Sequence, residues 1–490
     1  MTHRTASTAD SAATEPSLAS QFERPRPGAP RLIIVNNGLK DCRGHHFETA
    51  VAVAESAVRF DLAPVMATHR DCPADLVPDW LPSYPAFRTE YWARPAGVRA
   101  QVRTLLDATL PRLPAFAADL VGMALDLRSA WRRSRTQRSA IDTSSRVLAQ
   151  IGAEQAALQA FQDDLRALLR QLDVDASDHI YLPTAHGREV VAVRRLVDEF
   201  PAARCPVFHL EFRNPLFLGD SGSDDACRWS PAALECQAWF QRYRELGVSS
   251  RIALYTDAEL LAAEYQRIAQ LPFEVLPIPF RSRLLQPHVR IERTPLRLTF
   301  LGAPRDDKGF HWLPLLARRL WQDQRLRDQV ELHFQASIAS PSINPKSVAA
   351  LRRLRRYPAK FVRLIGRKGP LLAEQYYVSL SQADVVLFPY EPSRYRAATS
   401  GTLTEALAAG KPCVVPAGTW LADQVPAGSG ATFTDCPSFV EAVCDVVENY
   451  DSYRRRAAES ARLVLATHTP DRLVEQFLQR AHGTKRRGAA

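Results

Sequence analysis

The sequence predicts an α/β protein with two parallel-sheet domains, and three observations carry that prediction. The first is the stretch from Asp384 to Leu421, DVVLFPYEPSRYRAATSGTLTEALAAGKPCVVPAGTWL. Val385 to Phe388 is too short and too β-branched for a helix, and Pro389 ends it. Ser400 and Gly401 then open a helix that Gly410 closes, and Pro412 to Val415 resumes an apolar strand. The unit reads strand, helix, parallel strand. The second observation is Leu298 to Leu320, LTFLGAPRDDKGFHWLPLLARRL, where a short buried strand leads through a polar loop, Gly302 to Gly309, into a helix. Leu313, Leu316, Ala317 and Leu320 fall on one face of that helix. The third is the recurrence of short apolar runs between helical stretches in the first half, at Arg31–Val35, His179–Leu182, Pro206–Phe212 and Arg251–Tyr255. A chain of 490 residues is long enough for two such cores.

Taken in order, residues 1–29 are rich in Ser, Thr, Ala and Pro without an apolar core, which predicts a disordered tail rather than a secretory signal. The first domain is predicted over 30–280. It opens with the strand RLIIV, a loop from Asn36 to Gly44 and a helix from about His46 to Phe60. This loop is not G-x-G-x-x-G, and LAPVMATHR ends in His69 and Arg70 where a dinucleotide ribose would need a carboxylate, so a nicotinamide-type site is not expected. From about 96 to 172 the pattern is helical, broken by Pro111 and Pro114, and reads as an insertion. Phe273–Phe280, FEVLPIPF, reads as a last strand running into a proline-punctuated exit. A linker follows over 281–295. The second domain is predicted over 296–482, with strands near 298, 331, 361, 384 and 413 and closing helices from about Pro437 to Ala481.

Composition narrows the function classes. With 46% hydrophobic and 24% charged residues the chain is of ordinary globular type, and no stretch approaches the roughly 20 apolar residues of a membrane span. Eight cysteines show no C-x-x-C pair, which predicts free thiols and a cytoplasmic setting. A net charge of +10 favours anionic partners. A nucleic-acid role would rest on that charge alone: the basic segment Leu351–Lys368 is broken by Pro358, and no base-stacking motif accompanies it. Arg128 to Arg138 places five arginines around Trp131, which fits either a peripheral contact with an anionic membrane at the inner face or a solvated helix packing Trp131 inward.

The loops carry the chemistry. At a strand-to-helix turn on the carboxyl edge of a parallel sheet, the backbone N–H groups of Thr399 to Thr402 would seat a phosphate. Glu405, one turn further, suits ribose hydroxyls, although Thr402-Leu403-Thr404-Glu405 equally fits a capping box. Arg305 and Lys308 lie in the other loop, where two cations could neutralise a pyrophosphate, Arg in bidentate fashion and Lys as a point charge. In VFHLEFRNP, alternation puts His209, Glu211 and Arg213 on one strand face, either a site wall or a solvent-facing edge. His186, after YLPTA, is a further candidate. Asp173-Val174-Asp175, the one D-x-D, lies in a polar loop and reads as a turn. Adjacent His45 and His46 lack a third ligand, so no metal site is expected.

FLGAPRDDKGFHWL, ADVVLFPY and TSGTLTEALAAGKPCVVP together resemble the donor-binding domain of GT-B glycosyltransferases of family 4, the group 1 glycosyl transferases, over about Leu296 to Val425. The resemblance implies two Rossmann-like domains facing a cleft. It implies a metal-independent, retaining transfer from a nucleotide sugar to a glycan or lipid-linked acceptor, with no cofactor. Arg305 and Lys308 would hold the donor diphosphate, Ser400, Gly401 and Thr402 would supply amides, and Glu405 would bind the ribose. The acceptor side would use the loop containing Gly38, Gly44, His45 and His46, with His209, Glu211 and Arg213 as catalytic candidates. One departure stands out: the family's Glu-x7-Glu pair has Ala397 at its first position here. That keeps open a non-catalytic GT-B-like protein that binds a nucleotide sugar or scaffolds glycan assembly.

Overall fold

The computed structural model describes residues 26, 28–41, 45–90, 141–217, 231–285, 295–337, 345–366, 369 and 371–487. The first part of the expected insertion, with the arginines around Trp131, lies outside the described residues, as does Gly44.

Two parallel sheets form the protein. The first contains β1 (Arg31–Asn36), β2 (Ala63–His69), β3 (Ser83–Phe87), β4 (His179–Leu182), β5 (Val207–Glu211), β6 (Ile252–Thr256) and β7 (Glu274–Val275), in the order β3-β2-β1-β4-β5-β6-β7. The second contains β8 (Leu296–Phe300), β9 (Val330–Gln335), β10 (Val362–Ile365), β11 (Val385–Leu387), β12 (Cys413–Pro416) and β13 (Gly430–Phe433), ordered β10-β9-β8-β11-β12-β13. Every pairing is parallel. Strands covered on both faces read as continuous apolar runs, and β4, β5 and β6 are buried at every position. In each sheet the order reverses beside the first strand, between β1 and β4 and between β8 and β11, and that switch point is where doubly wound folds open a crevice.

The helices of the first domain are α1 (His45–Arg59), α2 (Ile141–Gln171), α3 (Gly187–Glu199), α4 (Pro231–Glu245) and α5 (Glu259–Ala269). The second domain has α6 (Leu313–Gln322), α7 (Gln324–Arg327), α8 (Pro345–Leu354), α9 (Ala373–Ser381), α10 (Pro392–Tyr395), α11 (Gly401–Ala408), α12 (Trp420–Gln424) and α13 (Cys436–Glu448). Then come α14 (Tyr450–Thr467) and α15 (Pro470–Arg487). α15 lies against the first domain. Its Leu473, Val474 and Phe477 are buried in one cluster with Leu32, Ile34 and Met66, and the Ser56 hydroxyl donates to Asp471 at 2.6 Å. The resemblance implies that the closing helices, about Pro437 to Ala481, cross back toward the first domain, and α15, which begins within the segment 296–482, does so.

Three further differences have physical causes. The strand expected over Phe273–Phe280 is confined to Glu274–Val275, because Pro277 and Pro279 lack the N–H a ladder needs. β3 escapes sequence reading because it is an edge strand in which exposed Ser83 and Pro85 alternate with half-buried Tyr84 and Ala86, and only Phe87 is buried. β13 starts at Gly430, where a Cβ would meet Cys413 O at 2.2 Å, so close packing rather than strand propensity selects the residue. Asp173–Asp175 precedes β4 at the amino edge of the first sheet. Asp175 caps a turn by accepting from the Ser177 N–H at 2.8 Å. Six described cysteines are free, and among the described residues no helix is long and apolar enough to cross a membrane.

Candidate donor site and interdomain network

The loop after β8 is shaped by two glycines with left-handed φ, Gly302 at 124° and Gly309 at 64°. A Cβ on Gly309 would sit 1.6 Å from Pro389 O, so only glycine allows this loop to press against the segment leaving β11. The Glu391 N–H donates to Asp307 O at 3.0 Å and ties the two together. Arg305 and Lys308 are thereby brought to Tyr390 and Tyr395, whose rings lie 4.5 Å apart. Arg305 Nη2 donates to Asp307 Oδ2 at 2.8 Å and to the Tyr395 hydroxyl at 3.2 Å, and Lys308 Nζ stands 5.2 Å over the Tyr390 ring.

Two cations here share one nearby carboxylate, Asp307, which Arg305 already engages. Burial pushes the Lys308 ammonium below the usual lysine range, the Arg305 charge adding to the shift and Asp307 opposing it only in part. Arg305 Nε and the Tyr390 hydroxyl are buried without hydrogen-bond partners. Buried polar groups are seldom left so, and an anion with several acceptor oxygens would satisfy the guanidinium and the ammonium.

α11 begins on the neighbouring strand end. Ser400 is its N-cap, with the hydroxyl accepting from the Leu403 N–H at 3.3 Å, and Gly401, as the first helical residue, has no intrahelical acceptor for its N–H. The capping box at Thr402–Glu405 does not form, since the helix starts two residues earlier and Thr402 is already inside it. Glu405 is buried instead between two phenols: the Tyr376 hydroxyl donates to one oxygen and the Tyr377 hydroxyl to the other at 2.8 Å. Ala397 is buried and brings no charge.

On the first-domain side the structure corrects the strand-face reading. His209 and Glu211 do share a face, but that face is neither a site wall nor solvent-exposed, because α15 covers it. His209 is fully buried, stacked on Phe477 at 4.1 Å, with Nε2 against His179 Nδ1 at 3.0 Å and Nδ1 against the Tyr255 hydroxyl at 3.2 Å. Burial drives its pKa well below the ordinary histidine value, with His179 adding to the shift. It is a core residue. Glu211 is also fully buried and accepts from Arg213 Nε and Nη2 at 2.9 and 3.0 Å and from the Tyr181 hydroxyl.

Arg213 nevertheless leads to the cleft. It lies 3.7 Å from Asp257, which follows β6. Asp257 Oδ2 accepts from the Thr399 hydroxyl of the second domain at 2.6 Å, while Oδ1 is buried without a partner. Burial pushes the Asp257 carboxyl up to about 7, the Glu211 charge adding to the shift and Arg213 opposing it. Asp257 also lines a cavity of about 470 Å³ between the domains, shared with Glu259, Trp420, Gln424, His468 and Arg472. Sequence reasoning missed Asp257, the bond that the Thr399 side chain makes to it, and the four tyrosines. A carboxylate directly after the buried run IALYT was the available signal.

The remaining acceptor-side candidates follow β1 and β4, neighbouring strands of the first sheet. His186 is the N-cap of α3, its Nε2 3.1 Å from Asn214 Nδ2, and burial lowers its pKa. Gly38 sits in the turn after β1, and His45 and His46 begin α1, where the His46 carbonyl accepts from Asn36 Nδ2 at 3.4 Å. Nearby Lys40 pairs with Glu90 and with Asp71 at 3.4 Å. Among the described residues no group of three His, Cys, Asp or Glu is placed to hold a metal ion. A larger recess of about 490 Å³ opens at the amino edge of the second sheet, around Asp328, Glu448 and Asp451, and contains none of the loop residues above.

The two parallel sheets and the returning C-terminal helix are the GT-B fold, the architecture of nucleotide-sugar glycosyltransferase structures. The chain is similar to sucrose-phosphate synthase from Thermosynechococcus elongatus, with a TM-score of 0.57 at 13% identity over 94% of this chain and 100% of that one. A glycosyltransferase from Rickettsia africae gives 0.56 at 8% identity, over 93% and 98%. Anabaena HepE in complex with UDP gives 0.51 at 13%, over 92% and 98%. No protein-family model matches the chain, and no curated protein matches it in sequence.

Asp257 makes stability pH-dependent in a defined direction. Its folded carboxyl retains the proton to about 7, whereas in the unfolded chain it ionises in the usual carboxylate range. The raised value means that its stabilising contribution is complete below about pH 4 and is lost as pH rises towards 7. Relative to Asp257→Asn, the wild-type protein is expected to lose on the order of 1–4 kcal/mol across that window. Urea melts of both proteins at mildly acidic and mildly alkaline pH measure this, and a pH-independent difference would show that Asp257 is ionised throughout.

Proposed function

We propose that the chain is a glycosyltransferase of the family 4 type, moving a sugar from a nucleotide-sugar donor to a glycan or lipid-linked acceptor with retention and without a metal ion. The observation that carries this reading is the convergence of Arg305, Lys308 and the Ser400–Gly401 helix start at the adjacent ends of β8 and β11. These two ends flank the switch point of the second sheet. Charge builds on the diphosphate as the glycosidic bond to it breaks. Arg305 and Lys308 meet that charge with their own, and the helix start adds the positive end of its dipole. Because these groups are held by Asp307, Tyr390 and Tyr395 before the donor arrives, little reorganisation accompanies the reaction. Glu405, held by Tyr376 and Tyr377, would accept from ribose hydroxyls.

A panel of nucleotide sugars, assayed for release of nucleoside diphosphate with and without EDTA, tests the proposal. Release from at least one donor that persists in chelator is the expected result. Complete loss on chelation, restored by manganese or magnesium, would refute the metal-independent mechanism. The buried, uncharged Ala397 favours a second reading, a GT-B-like protein that binds a nucleotide sugar without turning it over. Thermal stabilisation by a nucleotide sugar without diphosphate release would establish that alternative.

A further inference from the structure

The segment that leads into α11 is held from the opposite domain. Arg396 forms an ion pair with Glu264 of α5, and the Thr399 hydroxyl donates to Asp257 at 2.6 Å. Both carboxylates belong to the first domain and both are buried, at 4% and 5% exposure. Glu264 is itself fixed by the Leu216 N–H at 3.1 Å, and Asp257 faces Arg213 at 3.7 Å. Within its own domain the segment is tied by the Trp420 N–H, which donates to Arg396 O at 3.0 Å. Thr399 directly precedes Ser400, the N-cap.

We propose that Asp257 and Glu264 are positioning residues for the donor site: they clamp residues 396–399, so that the phosphate-binding helix start is set only when the first domain docks on the second. This rests on the donor reading above. Domain opening would pull Asp257 from Thr399 and Glu264 from Arg396 together and release the loop that meets the diphosphate. Donor occupancy and domain closure are then coupled through two side chains that touch neither nucleotide nor sugar.

The test combines calorimetry, using UDP and the other common nucleoside diphosphates as probes, with amide hydrogen exchange over residues 396–403. Asp257→Ala, Glu264→Ala and the near-isosteric Thr399→Val are compared with the wild type and with Lys308→Ala. Exchange in the segment is expected to accelerate in the first three variants, and nucleoside diphosphate affinity to fall about tenfold. Asp257→Asn, which keeps an acceptor for Thr399, is expected to restore most of the affinity. Lys308→Ala is expected to lose affinity with exchange unchanged. Thr399→Val changes no first-domain residue, so it remains informative if Asp257→Ala fails to fold. Wild-type exchange and affinity in Thr399→Val and Glu264→Ala would overturn the clamp. A wild-type protein that binds none of the nucleoside diphosphates would overturn the donor reading instead, while the exchange data would still decide whether the carboxylates hold the loop.

Discussion

Lys308→Ala is expected to abolish turnover while leaving the protein folded. Lys308 contributes an ammonium held over the Tyr390 ring and no ion pair among the described residues, so its removal forfeits little native packing. Its pKa already lies below the ordinary lysine value because burial disfavours the charge, and an arriving diphosphate reverses that penalty. The gain is therefore realised in the complex and grows as charge develops on the leaving group. Loss of such a group is expected to weaken nucleoside diphosphate binding by about 10- to 100-fold and to lower kcat by roughly 10²- to 10³-fold. Arg305→Ala is expected to weaken binding similarly, with a somewhat larger cost in stability, since Asp307 and Tyr395 lose a donor. Calorimetry and steady-state kinetics, with melting temperature as the control, measure both. Wild-type affinity in both variants would remove the phosphate site from this loop.

Phe477→Ala is expected to have the largest effect on stability. The ring is fully buried, its centroid 4.1 Å from that of His209, 4.9 Å from that of Tyr181 and 5.7 Å from that of Tyr255, so truncation leaves a cavity against three aromatic groups that cannot collapse into it. Large-to-small changes of this kind cost about 3–5 kcal/mol. Water entering the cavity would also solvate His209 and bring its pKa back towards the ordinary value. Urea unfolding supplies the energy, and faster proteolysis after residue 467 would show that α15 has detached from the first domain. A loss below about 1 kcal/mol would mean that α15 contributes little to the first core.

Much of the local structure around the proposed donor site was legible because its determinants are local. Gly302, Gly309 and Gly410 adopt positive φ in the loops expected of them, and Ser400 caps the helix it was expected to open. Each of these features depends on residues within a few positions in the chain. Glu405 shows where local reading ends. The tetrapeptide Thr402–Glu405 has the composition of a capping box, but the carboxylate is claimed by Tyr376 and Tyr377 of α9. Two phenols across a helix–helix contact outweigh one backbone N–H.

The first domain makes the same point more sharply. Alternation in VFHLEFRNP correctly put His209 and Glu211 on one face, because side chains of a strand alternate whatever surrounds it. What covers that face is a helix from the far end of the chain, and a pattern in β5 carries no information about Phe477.

The sequence by itself determined the α/β class, the two-domain plan, the strands that form the centres of both sheets, and the loops that bring Arg305, Lys308, Ser400 and Gly401 to one edge. Periodicity, glycine conformation and capping act over one or two turns and are written in consecutive residues. Only the tertiary structure decided that His209 belongs to the core, that Glu405 is bound by tyrosines, and that Asp257 and Glu264 of one domain hold residues 396–399 of the other. Those outcomes depend on which surfaces exclude water from one another, and burial sets both the partner a charged group finds and the protons it keeps.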